Sequence, residues 1–498
     1  MNRPTRFGAS IALSLLILAL VLPSQVSAIA HASPAVAVQQ ANAASSSKAT
    51  AAANSLYWGA YIDGQTYGPS YSNAPWGTDT WDLFESHAGR KVSILHWGEP
   101  WYWSQQAGYP GIGDGHFQSF YVSDFDKVRQ RGAIPLLDWG SWALYGSAAQ
   151  ESAYSLANIA NGNFDTYLRQ WATDAKAWGH PFFLRFDWEM NGNWFPWSEL
   201  TNGNSAGQFV TAWRHLHDIF ASVGATNVNW VWCPSIEGTD ASEYMPLAEL
   251  YPGNAYVDWT CLDAYNKEST SLSIRQLLMG TDAGTSWLAD SYQQVLSLAA
   301  GKPMMLGETA SNEYPLTGTV DPSVKANWIT DMLTNQLPNN FPGIRAVVWF
   351  NWNSDPGTSF VIESSSASQA AFASGINSGY YTANNYANLN TSPIPPPVAP
   401  ATPAPSPTLS PTPGPTATPT ATPTAVPTTR PTATPTRRPT VMPTAAPTRR
   451  PAVTPTAMPA RATRPGGPQN SIGVPGQDRA LRNSANDSLP FFLPLVTE

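Results

Sequence analysis

Eight apolar runs spaced between residues 57 and 390, with helix-period segments between them, predict an α/β fold of the (β/α)8 TIM-barrel class followed by a disordered Pro/Thr-rich tail. Two features carry that prediction. Each run is apolar almost without interruption, as in parallel strands buried on both faces. Composition also splits the chain: all 21 Trp lie between Trp58 and Trp352, whereas 24 of the 46 Pro fall within 393–470.

The chain begins with Arg3 and Arg6, an apolar run over 11–22 and the small residues Val26-Ser27-Ala28. Residues 1–28 read as a secretory signal peptide, because twelve apolar residues are too few to span a bilayer; an uncleaved anchor is the alternative. The Ala/Ser-rich 29–54 reads as a disordered spacer. The barrel occupies 55–390. Its strands are expected at 57–62 (YWGAYI), 91–97 (KVSILHW), 133–139 (AIPLLDW), 181–188 (PFFLRFDW), 228–233 (VNWVWC), 257–263 (VDWTCLD), 303–308 (PMMLGE) and 344–350 (IRAVVWF). Between strands, Phe164, Tyr167, Leu168, Trp171, Ala175 and Trp178 share one helix face, and Phe209, Trp213, Leu216 and Phe220 repeat the pattern. A further helix suits 327–337. A doubly wound sheet is the alternative, but no Gly-rich phosphate loop follows the first strand. The tail at 391–470 repeats Pro-Thr and suits an extended polyproline linker. Residues 471–498 form a short C-terminal segment, a candidate surface-retention tag.

Charge and cysteine content exclude several classes. Residues 51–390 carry 14 basic and 31 acidic side chains, net −17, which repels nucleic acid. The tail's seven Arg, with no acid among them in 393–470, are a weak signal for an anionic surface. Only Cys233 and Cys261 are present, so there is neither a disulfide framework nor a Cys-based zinc site. Buried thiols are the expected state and a disulfide the alternative. No His/Asp/Glu cluster has metal-ligand spacing, and there is no Ser–His–Asp constellation. No metal or cofactor is expected. The protein is expected to be a secreted monomer, tethered at the surface if the tail docks.

In such a barrel the chemistry lies at the C-terminal ends of the strands. Strand four ends on Arg185, Asp187 and Glu189, and strand seven on Glu308, across the mouth. Two facing carboxylates suit glycoside hydrolysis: one protonates the leaving oxygen, and the other attacks the anomeric carbon or activates water. Trp188, Trp194 and Trp197 would surround Glu189 with apolar groups and raise its pKa. A salt bridge between Glu189 and Arg185 is the purely structural alternative. Trp at strand ends, including Trp97, Trp139, Trp194, Trp349 and Trp352, suits stacking on the flat C–H faces of sugars. His96 can bond a sugar hydroxyl. Asp63, Asp138 and Asp187 can support Arg185 or the glutamates, and Tyr265 can hold the nucleophile ionised.

The segment 185–192 (RFDWEMNG), followed by Asn193-Trp-Phe-Pro-Trp197, resembles the strand-four motif of glycoside hydrolase family 26. The similarity extends to 229–234 (NWVWCP), 258–265 (DWTCLDAY), 306–309 (LGET) and 347–350 (VVWF). The resemblance implies a retaining endo-acting glycoside hydrolase on a plant-type β-glycan, first a β-1,4-mannan endo-mannosidase, with β-1,3/1,4-glucan and xylan as the other substrates of that family. It implies Glu189 as acid/base, Glu308 as nucleophile, Tyr265 as the tyrosine on the nucleophile and Trp349 as the floor beneath the cleaved sugar. Retaining chemistry sets the two carboxyls about 5–5.5 Å apart. Trp188 stands where the family pattern has His. A non-catalytic polysaccharide-binding barrel and a surface adhesin are the readings from other classes.

Overall fold

A computed structural model describes residues 55–103, 115–144, 151–353 and 357–398. The signal peptide, the spacer, the linker beyond Val398 and the C-terminal segment lie outside the described residues. Eight parallel strands form the barrel: β1 (Tyr57–Ile62), β2 (Ile94–Trp103), β3 (Ile134–Leu144), β4 (Phe182–Phe186), β5 (Val228–Trp232), β6 (Trp259–Asn266), β7 (Met304–Ser311) and β8 (Ile344–Asn351). Each pairs with the next in chain order, and β8 closes on β1 with Gly59 opposite Val348. This closure excludes the doubly wound alternative, in which the strand order reverses at a switch point. All eight apolar runs are strands. β2 and β3 run on past the expected ends at 97 and 139, and a two-residue strand, His116–Phe117, pairs antiparallel with the end of β2.

Strand periodicity sorts the side chains onto two buried faces. Trp58 meets Phe84 and Phe372 on the helices, Trp97 meets Phe125, Trp139 stacks on Trp171, and Trp349 packs against Trp328 and Phe372. These rings cement strands to helices. Their neighbours one residue away, His96, Asp138 and Phe350, turn into the barrel together with Arg185 and Asp263.

The expected helices form around this sheet. Asp165–Trp178 buries Leu168, Trp171, Ala172, Ala175 and Trp178, and Gln208–Val223 buries Phe209, Trp213, Leu216 and Phe220. The helix expected at 327–337 starts earlier, at Pro322. There Asp321 caps it by accepting a hydrogen bond from the Ser323 amide, and proline's fixed φ suits the first turn. It continues as a wider helical turn over Met332–Asn340.

The described chain stays on the barrel beyond the expected boundary at 390. Leu56 and Tyr380–Thr382 exchange backbone hydrogen bonds, the Trp259 indole donates to the Ile394 carbonyl (2.8 Å), and Tyr57 donates to that of Pro395 (2.9 Å). Ile394 is buried. Proline carbonyls still accept hydrogen bonds, so a proline-rich composition does not prevent docking at this point. The cysteine expectation is also corrected: Cys233, just past the end of β5, and Cys261, within β6, are bonded to each other in the barrel interior.

Candidate active site

Arg185, at the end of β4, is fully buried and organises the mouth. Its Nη1 donates to Glu308 Oε1 at 3.0 Å, its Nη2 donates to Asp263, and its Nε lies 3.3 Å from Asp138 Oδ1. His96 Nε2 lies 2.9 Å from Asp138 Oδ2 and 3.9 Å from Glu308 Oε1. Tyr265 donates its hydroxyl to the other oxygen of Glu308. Strands β2, β3, β4 and β6 thus deliver five polar groups, His96, Asp138, Arg185, Asp263 and Tyr265, around the Glu308 carboxylate of β7. Burial pushes Glu308 upward, while Arg185 and the Tyr265 hydrogen bond act to keep it ionised. Asp263 is driven well above the usual carboxylate range, by burial first and despite Arg185. One guanidinium cannot fully neutralise several buried carboxylates.

Glu189 follows β4 in a clamped, strained segment. Asp187 (φ 44°) and Glu189 (φ 50°) both occupy the left-handed region, which costs a non-glycine residue about 1–3 kcal/mol. Three sets of hydrogen bonds hold the segment. Asp187 accepts from the Ser141 amide (2.7 Å) and hydroxyl (2.8 Å), and the Glu189 amide donates to Cys233 O (2.7 Å). Asn191 and Ser235 exchange two bonds of 2.9 Å. The carboxylate accepts from Trp194 Nε1 at 2.8 Å. Gly192 makes that possible, because a Cβ there would lie 2.1 Å from the Trp194 ring. Burial, then the charge of Glu308, lifts Glu189 to about 7, with the Trp194 bond pulling the other way.

The predicted set therefore divides. Glu189, Glu308, Tyr265, Arg185, His96 and Trp194 come together at the mouth. Trp97, Trp139 and Trp349 do not: they are fully buried and packed outward on the helices, because adjacent residues in a strand face opposite ways. Trp349 is therefore no floor for a sugar, and its indole donates to the Phe360 carbonyl at 3.1 Å. Asp138 supports Arg185 as expected. Asp187 instead binds Ser141, and Asp63 binds the Thr66 amide (3.1 Å). The salt bridge of the purely structural alternative forms at the other glutamate: Arg185 pairs with Glu308 rather than Glu189. Trp197 donates to the Trp188 carbonyl (2.6 Å), and the two rings pack together.

The sequence reading missed Tyr61 and Phe350, which stack 4.9 Å apart inside the barrel, and Phe360, which stacks on Tyr265 at 5.2 Å. Counting alternate residues along β1 and β8 finds the first two. Phe360 lies in a loop with no such signal. His96, Asp138 and Glu308 are close enough to share a cation, but Arg185 already sets its positive charge against both carboxylates.

Fold and site together define a (β/α)8 barrel with a buried two-glutamate centre at its C-terminal mouth. The family model described as Glycosyl hydrolase family 26 matches residues 135–279, which carry the strand-four segment and Tyr265. Over this stretch the barrel is similar to that family. Endoglucanase H of Acetivibrio thermocellus is 30% identical over 311 residues, covering 59% of this chain and 29% of that protein. A mannan endo-1,4-beta-mannosidase of Bacillus subtilis is 28% identical over 126 residues, 24% of this chain and 28% of that one. The chain thus spans under a third of the length of either curated relative. Among solved structures, the catalytic domain of a Bacillus sp. JAMB-750 endo-beta-1,4-mannanase aligns over 67% of this chain and 88% of its own at 17% identity, with a TM-score of 0.46.

Proposed function

We propose that this protein is a secreted, retaining endo-β-glycosidase that hydrolyses a plant-type β-glycan by double displacement. The observation that carries the reading is the asymmetry of the two glutamates. Glu308 sits between the Arg185 guanidinium and the Tyr265 hydroxyl, which favour its ionised form. Glu189, lifted to about 7, keeps its proton at mildly acidic pH. A nucleophile must be ionised and a general acid protonated at the same pH, and the different partners of the two glutamates support that division of roles.

In the first step Glu308 attacks the anomeric carbon while Glu189 protonates the departing glycosidic oxygen. The C–O bond breaks and an ester to Glu308 forms. Glu189, now ionised, then takes a proton from water, which displaces Glu308 and releases the sugar with its configuration retained. His96, which faces Glu308, and Trp194, which faces Glu189, are the side chains to which this reading gives contacts with the sugar. Export is read from residues 1–28, and surface tethering, if any, from the tail.

β-Mannan is the first substrate, as the strand-four resemblance implies. A β-glucan is the second reading, favoured by Trp188 in place of the family His and by the name of the longer match, Endoglucanase H. The test is release of reducing ends from galactomannan, mixed-linkage glucan and xylan by the full chain, beside E189A and E308A. Turnover of one glycan, abolished in both variants, supports the reading. Retention on a glycan without cleavage would replace it with a polysaccharide-binding barrel.

A further inference from the structure

Lys325 is a buried cation that the chemistry above does not use. It lies on the helix after β7, has no exposed surface, and directs its ammonium at one segment of the loop after β8. Nζ donates to the Ser359 carbonyl, to the Val361 carbonyl (2.9 Å) and to Ser364 Oγ (2.8 Å). The residue between the first two acceptors is Phe360. Its ring lies parallel to that of Tyr265, 5.2 Å away and tilted by 16°, and its carbonyl accepts from Trp349. Tyr265 in turn donates to Glu308. A line of contacts thus runs from the Lys325 ammonium to the two carbonyls that flank Phe360, and from the Phe360 ring through Tyr265 to the carboxylate.

We infer that Lys325 is a positioning residue for Glu308: it pins the 359–364 segment so that Phe360 holds the Tyr265 hydroxyl against the carboxylate. This rests on the assignment of Glu308 as nucleophile. Burying an amine is expensive, and burial lowers the Lys325 ammonium to about 7 against the pull of Glu313 and Glu363, with the Trp349 ring 5.9 Å from Nζ. An apolar side chain would fill the same space without that cost, but it could not hold two carbonyls and a hydroxyl at once. The loop after β7 grips the same segment. Asn312 accepts from the Ser359 amide (2.8 Å), and Glu313 accepts from the Ser364, Ser365 and Ser368 hydroxyls at 2.7–2.8 Å. The segment can therefore stay in place when Lys325 is changed while its register loosens.

The test is a carboxyl titration that needs no turnover. The full chain is labelled with 13C-carboxyl glutamate, and the Glu308 resonance is assigned with E308Q. Its midpoint is then followed in wild type, K325M and F360L. F360L leaves the buried charge untouched, so it reports even where K325M does not fold. Loss of the Tyr265 hydrogen bond removes an interaction that lowers the Glu308 pKa, so both variants should shift the midpoint upward by about one pH unit. A Glu308 midpoint equal to wild type in F360L, or in folded K325M, overturns the inference; a purely structural role lowers the melting temperature without moving it. A moved midpoint in a protein that cleaves no glycan would remove the glycosidase reading and leave the positioning link standing.

Discussion

Arg185 Nη1 meets Glu308 Oε1 at 3.0 Å, and the same guanidinium reaches Asp138 and Asp263, so one side chain from β4 sets the electrostatics of three carboxylates on β3, β6 and β7. Removing it strands those carboxylates in a buried site. R185M should cost about 3–5 kcal/mol of stability. Where it folds, it should raise the Glu308 pKa and move the acid limb of kcat/KM to higher pH. R185K restores charge without the fork and should recover only part of either loss. Thermal unfolding and pH–rate profiles read both.

The two glutamates should separate in rescue experiments. E189A should lose about 10²–10⁴-fold on polysaccharide, less on a substrate with a leaving group that needs no protonation. Azide should then replace water and give a glycosyl azide of retained β configuration. E308A should give no retained product with azide. Product configuration by NMR decides, and an inverted product from wild-type cleavage would remove the retaining mechanism.

The alkaline limb of kcat/KM should lie near pH 7, because Glu189 must carry its proton and is lifted to about 7. The Trp194 indole stabilises the ionised form. W194F removes that donor, so the Glu189 pKa rises and the limb moves to higher pH, by about half a unit to one unit. G192A should move it in the same direction, since the added Cβ collides with the Trp194 ring. A limb that stays in place in both variants would argue that Glu189 is not the group seen in the profile.

Glu189 also makes stability depend on pH. Its folded pKa lies above the unfolded value, so its contribution is favourable at low pH and is lost as pH rises through about 7. E189Q cannot ionise and escapes that loss. It should match wild type near pH 4 and exceed it by about 3 kcal/mol at pH 8. Denaturant unfolding at the two pH values measures the difference, and equal stability at pH 8 would contradict the buried, protonated state.

Trp349 and Trp97 offer a test of strand parity. W349F and W97F should lower stability by about 1–3 kcal/mol through lost packing against the helices, with KM unchanged. A raised KM with unaltered stability would return these rings to the glycan.

The sequence alone determined the barrel and put Glu189 and Glu308 at the ends of its strands. Parallel strands buried on both faces must be apolar throughout, so eight such runs are visible without coordinates, and chemistry at their C-terminal ends is a property of the fold. That is why Glu189, Glu308, Arg185 and Tyr265 could be named. The face each neighbour takes was also latent in the period of two, but it needs one residue of known direction; without it, His96 and Trp97 looked equally available. Only the tertiary structure decided that Cys233 and Cys261 are joined, that residues up to Pro397 dock on the barrel, and that Lys325, through Phe360, reaches Tyr265. These depend on contacts between segments far apart in the chain and on loop paths. Local periodicity records which side of an element is buried, but not which distant residue is buried against it.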